Sequence, residues 1–238
     1  MLILEESMKL VASGYSVCGA SHHSLKMPNE DAILVDEVHG VFAAVDGVSS
    51  KPRGDIAAKI VVDALAAITA AEPDRRRFEQ AFVDAEDAIE KFRYEESLPA
   101  FPKACMTAVW LREGTGGNHI GLIGHAGDTS ALLVNHTAGT IAQLTTPHVV
   151  LHGRHNAVTR YVGGKKSPPD ISSIVVPPNC TLLLVTDGVT KKLSLREIAT
   201  RTIHTLSPQE LTTAIIRMAQ IAKEADDISV VAVRTLRF

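Results

Sequence analysis

The sequence predicts an α+β fold in which strands joined by short turns are interrupted by two pairs of helices. Its 238 residues are 45% hydrophobic and 21% charged, a composition that supports a sizeable core. The predicted order is strands, two helices, many strands, two helices and a final strand, unlike the regular alternation of strand and helix in parallel sheets. Because no repeat or linker interrupts this order, we expect residues 1–238 to form a single domain.

The first half of the chain is predicted to begin with strands and to continue into the first helix pair. The expected strands cover residues 15–20, 32–35 and 42–46. A polar turn is expected over residues 21–28, and residues 38–40 should join the last two strands as a hairpin. Apolar residues at helical spacing predict a helix over residues 56–71 and a second helix after Asp74, which suits an N-cap.

The second half is predicted to contain most of the strands and the second helix pair. The expected strands cover residues 106–111, 120–126, 130–134, 140–144, 171–176, 181–186 and 228–233. Residues 145–156 are polar and rich in histidine, so we expect a loop there. Ser194 with Glu197, and Ser207 with Glu210, have the spacing of capping boxes, which predicts the starts of two short helices.

Aspartates lie at the ends of several predicted apolar strands. The complete set is Asp31, Asp46, Asp128, Asp187 and Asp226. An aspartate at the mouth of a buried strand is costly unless it is paired or binds a metal, and magnesium and manganese prefer such oxygen ligands. Any single one could simply form a turn. Five in this position favour a site where two ions activate a water for attack at phosphorus.

Charge, cysteine content and hydropathy argue against several other classes of protein. The formal net charge is −3 and no basic block is present, which argues against binding to nucleic acid. The three cysteines lie far apart and form no disulfide framework or CxxC motif. No apolar run approaches the length of a membrane span, and the N-terminus is not a convincing signal peptide. We therefore expect a cytoplasmic protein that binds neither nucleic acid nor membrane.

Eight segments of the sequence together resemble a known family. They are Asn29-Glu30-Asp31-Ala32, Val45-Asp46-Gly47, Gly54-Asp55, His125-Ala126-Gly127-Asp128-Thr129, Leu144-Thr145 with His148, residues 156–164, Thr186-Asp187-Gly188-Val189 and Asp226-Asp227-Ile228-Ser229-Val230-Val231. In this order they resemble the compact bacterial members of the type 2C family of metal-dependent serine/threonine protein phosphatases. Each segment alone is a weak signal, whereas eight in order across almost the whole chain are a strong one.

The resemblance implies a four-layer αββα sandwich, in which two antiparallel β-sheets are flanked by helix pairs. It also implies a protein phosphatase with two Mg²⁺ or Mn²⁺ ions, in which a bridging water attacks the phosphorus of phosphoserine or phosphothreonine directly. The expected partner is a phosphorylated protein substrate. A free-standing catalytic domain further suggests a cognate serine/threonine kinase, or a target of that kinase, as partner.

The family pattern also implies roles for individual residues. Asp46 would bridge both ions, and Gly47 would offer its carbonyl to one of them. Asp187 and Asp226 would bind the other ion, so these two residues and Asp46 form the implied catalytic set. The residues implied to hold metal-bound waters are Glu30 and Asp31.

Several positions depart from the family pattern. Lys26 stands where the family usually has an arginine that grips the substrate phosphate, and lysine lacks the two-pronged geometry. Val48 stands where some members have a histidine suited to protonating the leaving group. Lys191 replaces an acid of a third metal site that also uses Asp128 and Asp187. We therefore expect a third ion at Asp128 to be weakened or absent.

The segment 145–156 is much shorter than the family's usual flap, so we expect an open cleft whose selectivity comes from a docked partner. His148, His152 and His155 in this segment could in principle form a zinc site. The loop composition and the lack of a nearby cysteine instead favour ordinary surface histidines.

Two other functions compete with a protein phosphatase. The first is a pseudophosphatase that acts as a binding or scaffold module, which Lys26, Val48-Ser49-Ser50 and Lys191 favour. The intact acids oppose it, because a binding module has no evident need for several costly carboxylates. The second is a hydrolase of small phosphate esters, which an open cleft would permit.

Overall fold

The computed structural model describes residues 8–25, 27–152, 155–164, 168–205 and 207–237. Lys26, which the sequence analysis associates with the substrate phosphate, lies outside the described residues. The strands are β1 (Met8–Val17), β2 (Asp31–Asp36), β3 (Val41–Gly47), β4 (Ala104–Glu113), β5 (His119–Ala126), β6 (Ser130–Asn135), β7 (Thr140–Gln143), β8 (Val149–His152), β9 (His155–Val158), β10 (Asp170–Val176), β11 (Cys180–Val185) and β12 (Ile228–Arg237). The helices are α1 (Ala20–Leu25), α2 (Gly54–Ala66), α3 (Arg75–Glu95), α4 (Asp187–Thr190), α5 (Leu195–Ile203) and α6 (Pro208–Ile221).

The strands form two five-stranded sheets and one separate hairpin. The first sheet has the strand order β1-β12-β11-β6-β7, and the second has the order β10-β5-β4-β3-β2. Within the described residues, strands β8 and β9 pair only with each other. All of these strand pairs are antiparallel, which agrees with the predicted α+β class.

The alternation of side chains along β3 builds two of the layers. Phe42 points into the core between the two sheets, where it joins Leu182 of β11. Val45 points the opposite way and packs in the same cluster as Phe78 of α3. All four side chains are completely buried. Because β3 is covered on both faces, its sequence is a continuous apolar run rather than an alternation of apolar and polar residues.

The second helix layer covers the outer face of the other sheet. Leu183 of β11 packs in one cluster with Ile198 of α5 and Ile215 of α6. The order of layers is therefore helices α2 and α3, the two sheets, and helices α5 and α6. The predicted αββα sandwich is confirmed.

The prediction of a polar turn over residues 21–28 is wrong, because α1 covers Ala20–Leu25. Long-range contacts hold this polar segment in place. The backbone N–H of Ser21 donates to the carbonyl of Ala225 at 2.9 Å, and the N–H of Gly19 donates to the Asp227 carboxylate at 2.7 Å. Tertiary contacts of this kind override the weak local preference and leave no pattern in the local sequence.

The expectation of a loop throughout residues 145–156 is also wrong, because β8 and the start of β9 lie there. Val149 pairs with Val158, and Val150 pairs with Ala157. Two further boundaries differ from prediction. Strand β1 begins at Met8, because it pairs along its whole length with β12, and the short helix α4 directly follows β11. In the described part of the chain, we find no helix with the length and apolar character needed to cross a membrane.

Candidate metal centre

Strands from both sheets deliver acidic residues to one end of the sandwich. Asp46 lies near the end of β3, directly opposite Asp31 at the start of the neighbouring strand β2. Asp187 is the first residue of α4 and is separated from β11 by Thr186 alone, whereas Asp128 lies in the turn between β5 and β6. Asp226 precedes the last strand, β12. The strand-end positions seen in the sequence therefore correspond to a common edge in three dimensions.

Three of these acids converge closely enough to share a metal ion. Asp46, Asp128 and Asp187 each offer a carboxylate oxygen, and these oxygens all lie within 4.8 Å of one another. Among the described residues, the Oδ1 atoms of Asp128 and Asp187 are buried without a hydrogen-bond partner. A buried carboxylate oxygen without a donor is costly, and a cation removes that cost. These oxygen ligands fit a hard divalent cation such as Mg²⁺ or Mn²⁺.

Burial, together with the crowding of acids, raises the pKa values of the carboxyl groups. For Asp46 the pKa is raised well above its ordinary value, first by burial and then by the charges of Asp31 and Asp187. For Asp187 burial also dominates, and the pKa rises to about 7 although the Lys191 ammonium lowers it. Perturbed carboxyl groups of this kind are typical of functional sites. A cation bound among them would favour their ionised forms.

Asp31 lies beside this cluster and is held by hydroxyl groups. The Thr186 hydroxyl donates to Oδ2 of Asp31 at 2.9 Å and accepts from the N–H of Ser229 at 3.0 Å. Burial raises the pKa of Asp31 to about 8, although hydrogen bonds from Ser229 and Thr186 lower it. Thr186 thus connects the strand β2 of one sheet with the end of β11 in the other.

Asp226 contacts a lysine instead of joining the three-acid cluster. Nζ of Lys191 lies 2.7 Å from Oδ2 of Asp226 and 2.7 Å from Oδ2 of Asp187. Burial alone would lower the pKa of Lys191, but the charge of Asp187 and hydrogen bonds to both carboxylates raise it above the ordinary value. From the sequence, Lys191 was expected to weaken a third metal site and to favour the pseudophosphatase alternative. Its contact with Asp226 depends on tertiary structure, and no sequence signal indicated it.

Glu30 is supported by two buried groups, Asp227 and His22, and the sequence did not indicate that His22 is buried. The carboxylate of Asp227 accepts from the N–H of Gly19 at 2.7 Å and from the N–H of Glu30 at 2.6 Å. It also lies 2.8 Å from Nδ1 of His22, whose other nitrogen lies 3.7 Å from Oε2 of Glu30. The sequence suggested only a polar loop at His22, whereas the side chain is 7% exposed. The resemblance gave Asp227, which stands where the family usually has asparagine, at most a supporting role.

Gly47 is a position where the backbones approach too closely for a side chain. A Cβ atom at Gly47 would lie 2.3 Å from the carbonyl oxygen of Gly54 and 2.6 Å from that of Glu30. The N–H of Gly47 donates to this same Glu30 carbonyl at 3.0 Å. The close approach of the two backbones therefore explains why the motifs Val45-Asp46-Gly47 and Gly54-Asp55 each contain a glycine.

His148 supports the turn that carries Asp128. The N–H of Gly127 donates to Nδ1 of His148 at 3.2 Å, and Nε2 of His148 lies 3.0 Å from Oδ2 of Asp170. Both ring nitrogens of His148 therefore have protein partners. The zinc alternative also needs His152 and His155, whose side chains lie outside the described part of the structure.

A family model described as Protein phosphatase 2C matches residues 18–223. The chain belongs to the protein phosphatase 2C family. Its members are serine/threonine protein phosphatases, so the predicted enzyme class is confirmed. No curated protein matches the sequence at a significant level.

Solved structures of bacterial phosphatases share the fold of this protein phosphatase 2C chain. PppA, a key regulatory component of T6SS in Pseudomonas aeruginosa, is 20% identical with a TM-score of 0.83, covering 97% of this chain and 99% of PppA. The serine/threonine phosphatase PstP/Ppp of Mycobacterium tuberculosis is 19% identical with a TM-score of 0.82, covering 94% of this chain and 98% of PstP. A further structure is of the PstP catalytic domain in complex with two manganese ions; it is 20% identical with a TM-score of 0.81 and covers 97% of this chain and 100% of that domain.

Proposed function

We propose that this chain hydrolyses phosphoserine and phosphothreonine in proteins by direct attack of water on phosphorus, with the help of divalent cations. The observation that carries the proposal is the convergence of Asp46, Asp128 and Asp187, with buried carboxylate oxygens that lack a donor among the described residues. Such a cluster destabilises a fold unless a cation binds there, so its presence on a phosphatase fold favours a metal-dependent enzyme.

The proposed cofactors are two Mg²⁺ or Mn²⁺ ions. When bound, such ions activate a water molecule and offset charge on the phosphoryl oxygens. The residues proposed to hold them are Asp46, Asp187, Asp226 and the carbonyl of Gly47, with Glu30 and Asp31 acting through water. The hydrogen bonds that Asp31 accepts and the buried position of Glu30 would fix these two carboxylates in place. Asp128 approaches Asp46 and Asp187 and is a candidate ligand of a further ion.

The proposed function also includes a substrate and a location in the cell. The substrate is a phosphorylated protein, and the chain reverses the action of a serine/threonine kinase. PppA, which has the same fold, is described as a regulatory component, which supports a role in regulation. The three free cysteines, Cys18, Cys105 and Cys180, favour a reducing compartment, so the proposed location is the cytoplasm.

One observation favours the pseudophosphatase alternative. Lys191 places a positive charge 2.7 Å from both Asp187 and Asp226, where a bound cation is otherwise expected. A chain in which this lysine permanently replaced a metal ion would retain the fold and lose the chemistry. Catalysis is still the better-supported function, because Asp46, Asp128 and Asp187 remain clustered beside it.

The experiment that tests the proposed function is phosphate release from a phosphothreonine peptide. It is run with Mn²⁺, with Mg²⁺ and with a chelator, for the wild type and for Asp46→Ala. A matched control is Asp63→Ala, since Asp63 lies on the exposed side of α2 with a side chain that is 62% exposed. We expect metal-dependent release that Asp46→Ala abolishes and Asp63→Ala retains. A folded wild type without turnover under any of these conditions would instead support the pseudophosphatase.

A further inference from the structure

Lys191 is anchored so that its ammonium group meets two proposed metal ligands. The backbone N–H of Lys191 donates to the carbonyl of Asp187 at 2.8 Å, which places the lysine one helical turn after that aspartate. Nζ then lies 2.7 Å from Oδ2 of Asp187 and 2.7 Å from Oδ2 of Asp226. These two acids belong to different segments, the start of α4 and the loop before β12. A single positive charge therefore joins two carboxylates that the fold brings together.

The two oxygens of Asp187 have different surroundings. Oδ2 contacts the Lys191 ammonium, whereas Oδ1 is buried without a hydrogen-bond partner among the described residues. Asp187 also belongs to the cluster with Asp46 and Asp128. The ammonium thus takes up the side of Asp187 that faces Asp226 and leaves an oxygen for the three-acid cluster.

If Lys191 and Asp187 formed an ordinary exposed ion pair, no function would follow from it, because exposed i,i+4 pairs are common and contribute little to stability. This contact differs in that one ammonium serves two acids and the Asp187 side chain is only 15% exposed. The lysine side chain itself is 46% exposed, so its flexible stem has room to leave for solvent. The arrangement therefore leaves room for a second position of the ammonium, in water.

We propose that Lys191 is a tethered cation that competes with one divalent ion for Asp187 and Asp226. This inference rests on the proposed metal centre, and in it Lys191 controls how fully that centre is occupied by metal ions. An ion bound among Asp46, Asp128 and Asp187 is affected less, because the lysine contacts only Asp187 of these. An ion at Asp226 binds only when the ammonium moves away, so occupancy of that position follows the concentration of free metal ion.

The test is a calorimetric titration of the metal-stripped full chain with Mn²⁺, comparing the wild type with Lys191→Met. Methionine keeps an unbranched side chain and removes the charge. The matched control is Lys192→Met, since Lys192 is the exposed neighbour of Lys191. We expect the weaker Mn²⁺ ion to bind roughly tenfold more tightly to Lys191→Met than to the wild type, because a positive charge close to the ion is removed. Lys192→Met should match the wild type.

Thermal unfolding gives a second measurement that does not depend on catalysis. Without metal, Lys191→Met should unfold at a lower temperature than the wild type, because the two acids lose their counter-charge. Mn²⁺ should then raise its unfolding temperature by more than it raises that of the wild type. Lys191→Gln provides a second neutral variant, and Lys191→Arg, which retains the charge, should bind Mn²⁺ as the wild type does.

The outcomes separate this inference from the proposed function. Equal Mn²⁺ affinities and equal Mn²⁺-induced shifts in unfolding temperature for the wild type and both neutral variants would overturn the role of Lys191 and leave the metal centre intact. Weaker Mn²⁺ binding in the neutral variants would overturn it too, since the lysine would then support the site. No Mn²⁺ binding in any folded protein of the series would overturn both the inference and the proposed function.

Discussion

At the scale of single residues, the site is built from groups that weaken the fold without a bound cation. Asp46 is the clearest example, because burial and the neighbouring charges of Asp31 and Asp187 raise the pKa of its carboxyl group. A sequence selected only for stability would place an amide or an apolar residue there. The unfavourable position is therefore itself an indication of function.

Replacing Asp46 with asparagine should stabilise the metal-free protein. The amide has nearly the same shape and carries no charge, so the repulsion within the cluster decreases, and we expect a gain of about 1–2 kcal/mol in the free energy of unfolding. Urea unfolding in chelator measures this gain, with Asp63→Asn as the exposed control. In excess Mn²⁺ the order should reverse, because the wild type alone gains full metal binding. Lower stability of Asp46→Asn in chelator would argue against electrostatic crowding.

The buried residue His125 should make the free energy of unfolding depend on pH, without involving a metal ion. The ring is 4% exposed, and Nδ1 lies 2.9 Å from the Thr107 hydroxyl while Nε2 lies 3.1 Å from the carbonyl of Thr146. A carbonyl only accepts, so Nε2 carries the proton of a neutral ring and Thr107 donates to Nδ1. Burial, assisted by the charge of His148, lowers the pKa of His125 to about 4.

The unfolded chain takes up this proton near pH 6.5, whereas the folded protein takes it up near the lowered pKa of about 4. The contribution of His125 to stability is therefore fully present above pH 6.5 and is lost as the pH falls towards 4. We expect a loss of roughly 3 kcal/mol across that range, at about 1.4 kcal/mol for each unit of pKa difference. Urea unfolding at several pH values should show a shallower dependence for His125→Gln, and an unchanged one for the exposed control His204→Gln. Equal slopes in all three proteins would contradict this explanation.

The helices and strands around the site are positioned by segments whose backbones are in close contact. A Cβ atom at Gly188 in α4 would lie 2.0 Å from the carbonyl oxygen of Asp227, and one at Gly19 would lie 1.9 Å from that of Asp226. The backbone is therefore closely packed where three segments meet. They are the segment before α1, the start of α4 and the loop before β12. This contact fixes Asp226 and Asp187 relative to each other.

Gly188→Ala should consequently destabilise the protein by about 2–4 kcal/mol, because the added methyl group collides with backbone that has little freedom to move. The control is Gly139→Ala, where a Cβ atom meets nothing within 4 Å and only the positive φ of +67° opposes the change. That control should cost about 1 kcal/mol. Urea unfolding of both variants measures the difference, and equal losses would show that the close contact with Asp227 has no energetic weight.

The sequence predicted the elements whose own residues determine them. The apolar run of β3 and the helical spacing in α3 were sufficient, and Ser194 forms the predicted capping box with Glu197. Helix α1, the β8–β9 hairpin and the contacts of Lys191 and His22 were not predicted. Each depends on partners distant in the chain, or on pairing outside the main sheets, which residue type and local spacing do not reveal.

At the scale of the whole molecule, three hydrophobic clusters share the same strands. Phe42 of β3 belongs to the core between the sheets, and its neighbour Val41 belongs to the core under α2 and α3. On β11, Leu182 and Leu183 are divided in the same way between the central core and the core under α5 and α6. Loss of one layer therefore exposes residues of the next, and we propose that residues 1–238 unfold as one domain.

If the chain unfolds as one domain, two different spectroscopic signals should report the same unfolding transition. Trp110 is the single tryptophan and is completely buried beside Phe78, so its fluorescence reports the layer of α3 and the second sheet. Far-ultraviolet circular dichroism reports all helices and strands. The two signals should give the same urea midpoint. Separate midpoints would instead show that the two helix–sheet halves unfold independently.

The most direct test of the metal centre is anomalous diffraction at the manganese edge from crystals grown with MnCl₂. We expect strong anomalous density among the carboxylates of Asp46, Asp128 and Asp187, and its loss in crystals of Asp46→Asn. Density at this place would establish that the converging acids are ligands. Well-ordered crystals in saturating Mn²⁺ without anomalous density at these carboxylates would show that the three acids do not bind this metal, and the acids would then need another explanation.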